Sequence, residues 1–155
     1  MKDWLSEYVD FKVLINLEER VDRYNETLLE LQKVGISEVA HFPAIKHTIG
    51  ISGCTRSHYE VVKMAKENGY KNILIFEDDV YFECDEKMMK ETVSSCFEQI
   101  NKNNISPDFL YLGGYLTTPP DGRFHESDML YHQYIDDNLF ELGGCKTTHA
   151  YIIFE

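Results

Sequence analysis

Residues 72–79 read NILIFEDD, in which an apolar strand ends in three consecutive acids, Glu77, Asp78 and Asp79. The residues before the acids are rich in β-branched and apolar side chains, which is typical of a strand buried on both faces of a parallel sheet. In open α/β sheets, ligands bind outside the carboxyl ends of the strands. The acids therefore indicate a ligand site, and a solvated acidic turn is the other interpretation that the run alone allows.

The three carboxylates favour a divalent cation. Like charges held this close repel one another, and a cation between them makes the arrangement favourable. Hard oxygen ligands suit Mn²⁺ or Mg²⁺, which also bind diphosphate oxygens. Because side chains alternate along an extended segment, Glu77 and Asp79 are expected to point one way and Asp78 the other. We predict Asp79 as a direct ligand, Glu77 as a ligand directly or through water, and Asp78 as a contact to a ribose or a backbone group.

The rest of the chain alternates predicted strands and helices, which implies a mainly parallel α/β sheet covered on both faces. Strands are predicted at 11–17, 39–45, 71–76, 109–112 and 148–154, and helices at 19–33, at 54–68 and after an N-cap at Asp85. Gly35 and Gly69 are expected to end the first two helices. Residues 50–53 and 117–123 are expected to be loops. No repeat or linker interrupts the pattern, so we expect a single domain over residues 1–155.

The composition restricts the kinds of partner. The formal net charge is −12, and nucleic-acid binding needs a cationic face, so a nucleic-acid partner is not expected. A small phosphorylated ligand needs only a local site. No apolar run reaches the roughly 18 residues of a membrane helix, and the N-terminus lacks an apolar signal core. We therefore expect a soluble, cytoplasmic protein without a transmembrane segment or signal peptide.

The cysteines show no pattern typical of a metal site or a redox motif. None forms a C-x-x-C pair, and their spacing matches no zinc template. They are therefore expected to be reduced thiols. The four are Cys54, Cys84, Cys96 and Cys145.

The strand and its acids also resemble the acidic pocket of receiver domains in two-component signalling. That pocket lies near the N-terminus of its domain and needs a phosphoacceptor aspartate at the end of a later strand. Here the next predicted strand has Asp108 at its start and Gly113-Gly114 at its end. This geometry disfavours a receiver domain.

Six segments match the motifs of another family, in order and at plausible spacing. They are INLEERVDR (15–23), FPAI (42–45), GCTRSH (53–58), GYKNILIFEDDV (69–80), DFLYLG (108–113) and THAYII (148–153). Together they resemble glycosyltransferase family 25, the lipooligosaccharide and collagen-type galactosyltransferase family. The resemblance implies a Rossmann-like GT-A fold, a nucleotide-sugar donor such as a UDP-hexose, and a metal held by the acidic triplet.

The resemblance also suggests what the chain lacks. Most members of the family continue well past the last motif, where this chain stops, and a tryptophan expected on the helix of Ser57 and His58 is absent. A truncated chain or a shortened natural protein is the interpretation that follows. The donor half of the site is then present, and the acceptor half is expected to be incomplete.

The first matched segment offers residues for the donor nucleotide. Asn16 and Leu17 end the first strand, where a base and ribose lie in such folds. Arg20 and Arg23 lie on one side of the following helix turn and are candidates for bidentate pairing with diphosphate oxygens. A pair of solvated helix arginines is the alternative.

Later segments offer further candidates. Ser57 and His58 are expected in the first turns of a helix, where donor phosphate or sugar hydroxyls would sit; a buried histidine bonded to backbone is the alternative for His58. Gly113 permits close approach of a ligand to the backbone, or simply makes a turn. His149 precedes the last strand, and imidazole is a good Mn²⁺ ligand.

The predicted reaction moves a hexose, galactose or glucose, from a nucleoside diphosphate to an acceptor hydroxyl on a glycan, a lipooligosaccharide or a protein. Inversion of the anomeric centre would require a general base, for which Asp121 and Glu126 are candidates. The rival hypothesis is a transferase-like domain that binds a nucleotide or glycan without turnover.

Overall fold

The computed structural model describes residues 3–113, 115–116, 132–136, 139–142, 145–146 and 149–155. This part of the chain opens with a turn of 3₁₀ helix, Trp4–Glu7. Its helices are α1 (Val21–Lys33), α2 (Gly50–Asn68) and α3 (Glu86–Lys102). Its strands are β1 (Phe11–Asn16), β2 (Ala40–Pro43), β3 (Asn72–Glu77), β4 (Phe109–Tyr111), β5 (Tyr115–Leu116), β6 (His132–Asp136), β7 (Leu139–Leu142), β8 (Cys145–Lys146) and β9 (Ala150–Phe154).

A five-stranded sheet in the order β2-β1-β3-β9-β4 forms the centre of the fold. Strand β1 pairs in parallel with β2 and β3, whereas β9 runs antiparallel between β3 and β4. The remaining strands form two antiparallel pairs, β5 with β8 and β6 with β7. The predicted mainly parallel, Rossmann-like α/β architecture is confirmed, and β9 is its one reversed strand within the five-stranded sheet.

The helices cover both faces of this sheet, as predicted. Alternate residues of β1 and β3 pack into two separate apolar clusters. Leu14, Leu74 and Phe76 lie in the cluster that also contains Leu31 of α1 and the buried residues of α3. Ile15 and Ile75 lie in the other cluster, against Val61 and Ala65 of α2. Burial on both faces explains why β3 is a continuous apolar run, since neither face meets water.

The start of α2 differs from the prediction. The helix begins at Gly50, four residues earlier than expected, so residues 50–53 form its first turn rather than a loop. Two glycines in that turn suggested a break because glycine disfavours helices. Gly53 is instead needed for packing, since a Cβ at this position would lie 2.4 Å from the carbonyl oxygen of Ile45.

Other helix ends follow the predictions. Asp85 caps α3, and its carboxylate accepts a bond of 2.9 Å from the backbone N–H of Met88. Gly35 and Gly69 each have a φ of +70°, as expected for residues that end helices. On α1, Leu31 is 1% exposed, whereas Val21 in the first turn is 58% exposed.

Two further expectations concern the chain as a whole. None of the helices in the described ranges is both long and apolar enough to cross a membrane. Cys54, Cys84 and Cys96 are free thiols. The predicted loop at 117–123 lies outside the described residues.

Candidate functional site

Three strand ends meet at one edge of the central sheet. Strands β1 and β3 are parallel, so their carboxyl ends lie together, and the antiparallel β9 begins at the same edge. The backbone N–H of Glu77 donates to the carbonyl of His149 over 3.0 Å, which extends the β3–β9 ladder to this edge. Asn16, Glu77 and His149 are therefore neighbours although they are far apart in sequence.

Glu77, Asp79 and His149 converge at this edge. Each offers one ligand atom, and the three atoms lie within 4.8 Å of one another. His149 Nδ1 is 2.7 Å from Asp79 Oδ1. Two carboxylates and an imidazole are a donor set that suits Mn²⁺. The prediction that Glu77 and Asp79 lie together, apart from Asp78, agrees with this geometry.

Asp78 points to the other side, towards the end of β1 and the start of α1. Its two oxygens accept bonds from Asn16 Nδ2 at 2.8 Å and from Arg23 Nη1 at 3.2 Å. Asn16 is 2% exposed, and its amide also donates to the carbonyl of Arg20 over 3.1 Å. Asn16 thus positions Asp78 and the first turn of α1. The contact of Asp78 to a ribose stays a prediction.

The two candidate arginines have different carboxylate partners. Arg23 pairs with Asp78, whereas Arg20 pairs with Asp22, with Nη2 to Oδ2 at 2.7 Å. The hydrogen bonds from Arg20 lower the pKa of Asp22 to about 2, so that carboxylate is ionised at neutral pH. Each guanidinium would have to share or release its partner in order to bind a diphosphate.

Ser57 lies elsewhere than predicted. Because α2 begins at Gly50, Ser57 and His58 lie about two turns into the helix, and the expectation that they occupy its anion-binding N-terminus is wrong. Ser57 is fully buried, donates to the carbonyl of Gly53 over 2.8 Å and accepts from the N–H of Ile45 over 2.8 Å. It fastens α2 to the preceding segment and has no surface for a ligand.

His58 bridges two side chains. The alternative interpretation, a buried histidine that bonds to backbone, does not describe these contacts. Its Nε2 is 3.0 Å from Glu77 Oε1, and its Nδ1 is 2.8 Å from the hydroxyl of Tyr151. Burial raises the pKa of Tyr151, and the negative charge of Glu77 adds to the effect, so its hydroxyl keeps its proton at neutral pH. Tyr151 was not among the predicted site residues, because the contact joins α2 to β9.

Cys54 lies one turn before His58, on the same face of α2. Its ligand atom belongs to a second group, with His58 and Glu77, whose atoms also lie within 4.8 Å of one another. Partial desolvation of the sulfur raises the pKa of the thiol, and the charges of Glu77 and Asp79 raise it further. Cys54 was not predicted as a site residue. Its spacing of four residues from His58 could have indicated two metal-binding side chains on one face of a helix.

A cavity of about 250 Å³ lies beside the end of β1. This volume is below the roughly 300–1,000 Å³ of a complete small-molecule site and would hold part of a ligand. Asn16, one of the two residues predicted to lie beside a base and ribose, lines this cavity. The residues that line it are Asn16, Glu18, Val21, Tyr24 and His41.

The remaining candidates are Gly113 and residues beyond it. Gly113 is exposed just after β4, and a Cβ there would meet no described atom within 4 Å, so packing among the described residues does not require glycine. Gly114, Asp121 and Glu126 lie outside the described residues. Residues 109–113 include no acid, which a phosphoacceptor site at the end of β4 would need.

Comparisons with known proteins agree with the resemblance seen in the motifs. The sequence model of "Glycosyltransferase family 25 (LPS biosynthesis protein)" matches residues 44–141. A Homo sapiens protein named "Inactive glycosyltransferase 25 family member 3" is 33% identical over 72 residues. These residues are 46% of this chain and 12% of the human protein, so the chain corresponds to a small part of that relative.

Proposed function

Because the chain belongs to glycosyltransferase family 25, we propose that it binds a UDP-linked hexose and transfers the hexose to a hydroxyl group of an acceptor. Galactose or glucose would be the sugar, and a glycan, a lipooligosaccharide or a protein the acceptor. The observation that carries the proposal is the convergence of Glu77, Asp79 and His149 at the carboxyl edge of the sheet. Ligands of open α/β sheets bind at such edges.

The donor set at this edge fits a hard divalent cation. Glu77, Asp79 and His149 would hold Mn²⁺ or Mg²⁺, since carboxylate oxygens and imidazole are ligands that Mn²⁺ accepts. The cation would neutralise negative charge that develops on the leaving diphosphate.

The residues beside the triplet would place the nucleotide. The cavity at the end of β1 would receive the base, where Tyr24 and His41 offer ring surfaces 4.8 Å apart between centroids. Arg23, which pairs with Asp78, has a side chain 41% exposed and would bind oxygens of the diphosphate. Asn16 would act as a positioning residue through its bond to Asp78.

A second candidate function follows from the name of the human relative, which describes that protein as inactive. Under this alternative the chain binds a nucleoside diphosphate through the same edge but does not transfer a sugar. The two functions share every donor contact and differ only in turnover. A binding measurement alone therefore does not separate them.

Calorimetry with UDP, with and without Mn²⁺, tests the shared part. We expect binding that requires the metal; absence of UDP binding under both conditions would refute both candidates. Incubation with UDP-galactose and UDP-glucose then tests turnover, by release of UDP. Metal-dependent binding without hydrolysis or transfer would favour the inactive alternative.

Asp79→Asn tests the site itself. The variant keeps the side-chain size and removes the charge, so we expect Mn²⁺-dependent UDP affinity to fall at least about tenfold. Glu91→Gln, on the exposed face of α3, makes a matched change in net charge far from the triplet and should bind like the wild type. Equal loss in both variants would mean that net charge, rather than coordination, governs binding.

A further inference from the structure

We propose that Cys54, His58 and Glu77 form a second cation site, for a soft divalent ion of the zinc class, beside the Glu77–Asp79–His149 site. A thiolate, an imidazole and a carboxylate are all ligands that Zn²⁺ accepts. Their ligand atoms lie within 4.8 Å of one another. The residues come from two elements, α2 and the end of β3, so the fold itself brings them together.

The geometry needs little adjustment to hold zinc. Neighbouring ligand atoms around a tetrahedral zinc ion are about 3.5 Å apart, given Zn–N and Zn–S lengths of about 2.0–2.3 Å. His58 Nε2 and Glu77 Oε1 are already 3.0 Å apart. Cys54 lies on the surface, so its side chain can rotate towards them without disturbing the core. Three protein ligands with water in the fourth position make a known type of open zinc site.

Tyr151 supplies the support that a ligating histidine needs. Metal-bound imidazoles are held by a hydrogen bond at the other ring nitrogen. The Nδ1 of His58 has such a partner in the Tyr151 hydroxyl, at 2.8 Å, which leaves Nε2 directed at Glu77 and at the proposed ion. A hydroxyl both donates and accepts, so this bond survives when the imidazole changes tautomer to free Nε2 for the metal.

The ligand chemistry separates this site from its neighbour. Sulfur ligands select soft or borderline ions such as Zn²⁺ and Co²⁺, whereas carboxylate oxygens suit Mn²⁺ and Mg²⁺. Glu77 is common to both groups, and Asp79 and His149 belong only to the other. Zinc binding through Cys54 does not depend on the transferase proposal, so the two can be tested separately.

Cobalt reports on this site directly. Co²⁺ bound to a thiolate gives an intense charge-transfer band in the near ultraviolet, and oxygen or nitrogen ligands alone do not. We expect the reduced chain of 155 residues to show this band with Co²⁺, and Zn²⁺ to abolish it by displacement. No band in the presence of excess Co²⁺ would overturn the proposal.

Variants assign the ligands. Cys54→Ser should abolish the band, while Cys84→Ser, a control thiol on the loop before α3, should keep it. His58→Ala and Glu77→Gln should each weaken Co²⁺ at least about tenfold, since losing even a supporting group costs that much. If these two variants bind Co²⁺ as tightly as the wild type, Cys54 is only a lone thiol and the proposed site is wrong.

His149→Ala keeps the test independent of the transferase site. It should lose Mn²⁺-dependent UDP binding and keep the cobalt band, because His149 belongs only to the other group. A wild-type chain that shows the band but binds no UDP would refute the proposed function and support the zinc-class site. Loss of the band in His149→Ala would show that the thiolate site is not separate.

Discussion

Asn16→Leu should destabilise the protein because a buried amide holds two elements together. Asn16 is 2% exposed and donates to the Asp78 carboxylate at 2.8 Å and to the carbonyl of Arg20 at 3.1 Å. A hydrogen bond to a charged group contributes about 1.5–3 kcal/mol, and one to a neutral carbonyl about 1 kcal/mol. The side chain of Asp78 is 17% exposed, so water replaces part of the loss. We expect the free energy of unfolding to fall by about 2–3 kcal/mol.

Urea denaturation measures this change. With a slope of about 2 kcal/mol per molar urea, the midpoint of Asn16→Leu should fall by roughly 1–1.5 M with an unchanged slope. Asn25→Leu, the same substitution on the exposed face of α1, should change the free energy by no more than about 0.5 kcal/mol. A midpoint of Asn16→Leu that lies as close to wild type as that of Asn25→Leu would refute the reasoning.

Asn16→Asp adds a test in which the pH dependence of the free energy of unfolding has a predicted sign. The new carboxylate faces Asp78, so each raises the pKa of the other in the folded state. The folded variant then binds more protons than the unfolded chain in the acidic range, and its stability relative to wild type should rise as the pH falls. If the destabilisation of Asn16→Asp relative to wild type stays constant or grows as the pH falls, the two carboxylates do not face each other.

Two further substitutions test a close packing contact and a buried ion pair. Gly53→Ala should cost about 1–3 kcal/mol in urea denaturation, because its Cβ would lie 2.4 Å from the Ile45 carbonyl oxygen; Gly50→Ala, which meets nothing within 4 Å, is the control and should be neutral or stabilising. Lys12→Met should cost about 3–5 kcal/mol, because Lys12 and Asp3 pair at 2.6 Å with side chains only 5% and 4% exposed. Burial alone would raise the pKa of Asp3, but its hydrogen bond and ion pair with Lys12 help to hold that pKa below its usual value. The stability that this pair gives the wild type should therefore be lost as the pH falls through the lowered pKa. A Lys12→Met variant with the same acid dependence as wild type would contradict this role.

The sheet was predictable because its strands are buried on both faces. Residues 73–76 are continuously apolar, a pattern typical of a strand that is buried on both faces of a sheet. The direction of β9 was not predictable in the same way, since a buried antiparallel strand between two others has the same composition. Its reversal matters, because it is what brings His149 to the carboxyl edge of β3.

The start of α2 was mispredicted because helix propensity is local, whereas the reason for a glycine at position 53 is a tertiary contact. Gly50 and Gly53 have low helix propensity, which favoured a loop. The contact that requires glycine, the carbonyl of Ile45 against the first turn, is visible only when the chain has folded. Because the helix starts four residues earlier than predicted, Ser57 is not at its N-terminus. It is instead a buried residue that bonds α2 to the segment before it.

The side chains around the triplet show why its sequence alone left a metal site undecided. Glu77 pairs with His58, and Asp79 pairs with His149, so N–H groups of the protein already offset much of the charge repulsion. Repulsion between the acids therefore does not by itself require a cation. What favours a cation is that the ligand atoms of Glu77, Asp79 and His149 lie within 4.8 Å of one another at the carboxyl edge of the sheet. His149 Nδ1 cannot both donate to Asp79 and ligate a metal, so a metal ligated by that nitrogen would replace the hydrogen bond. A metal ligated by Nε2 would leave the bond in place, with Asp79 holding the ring.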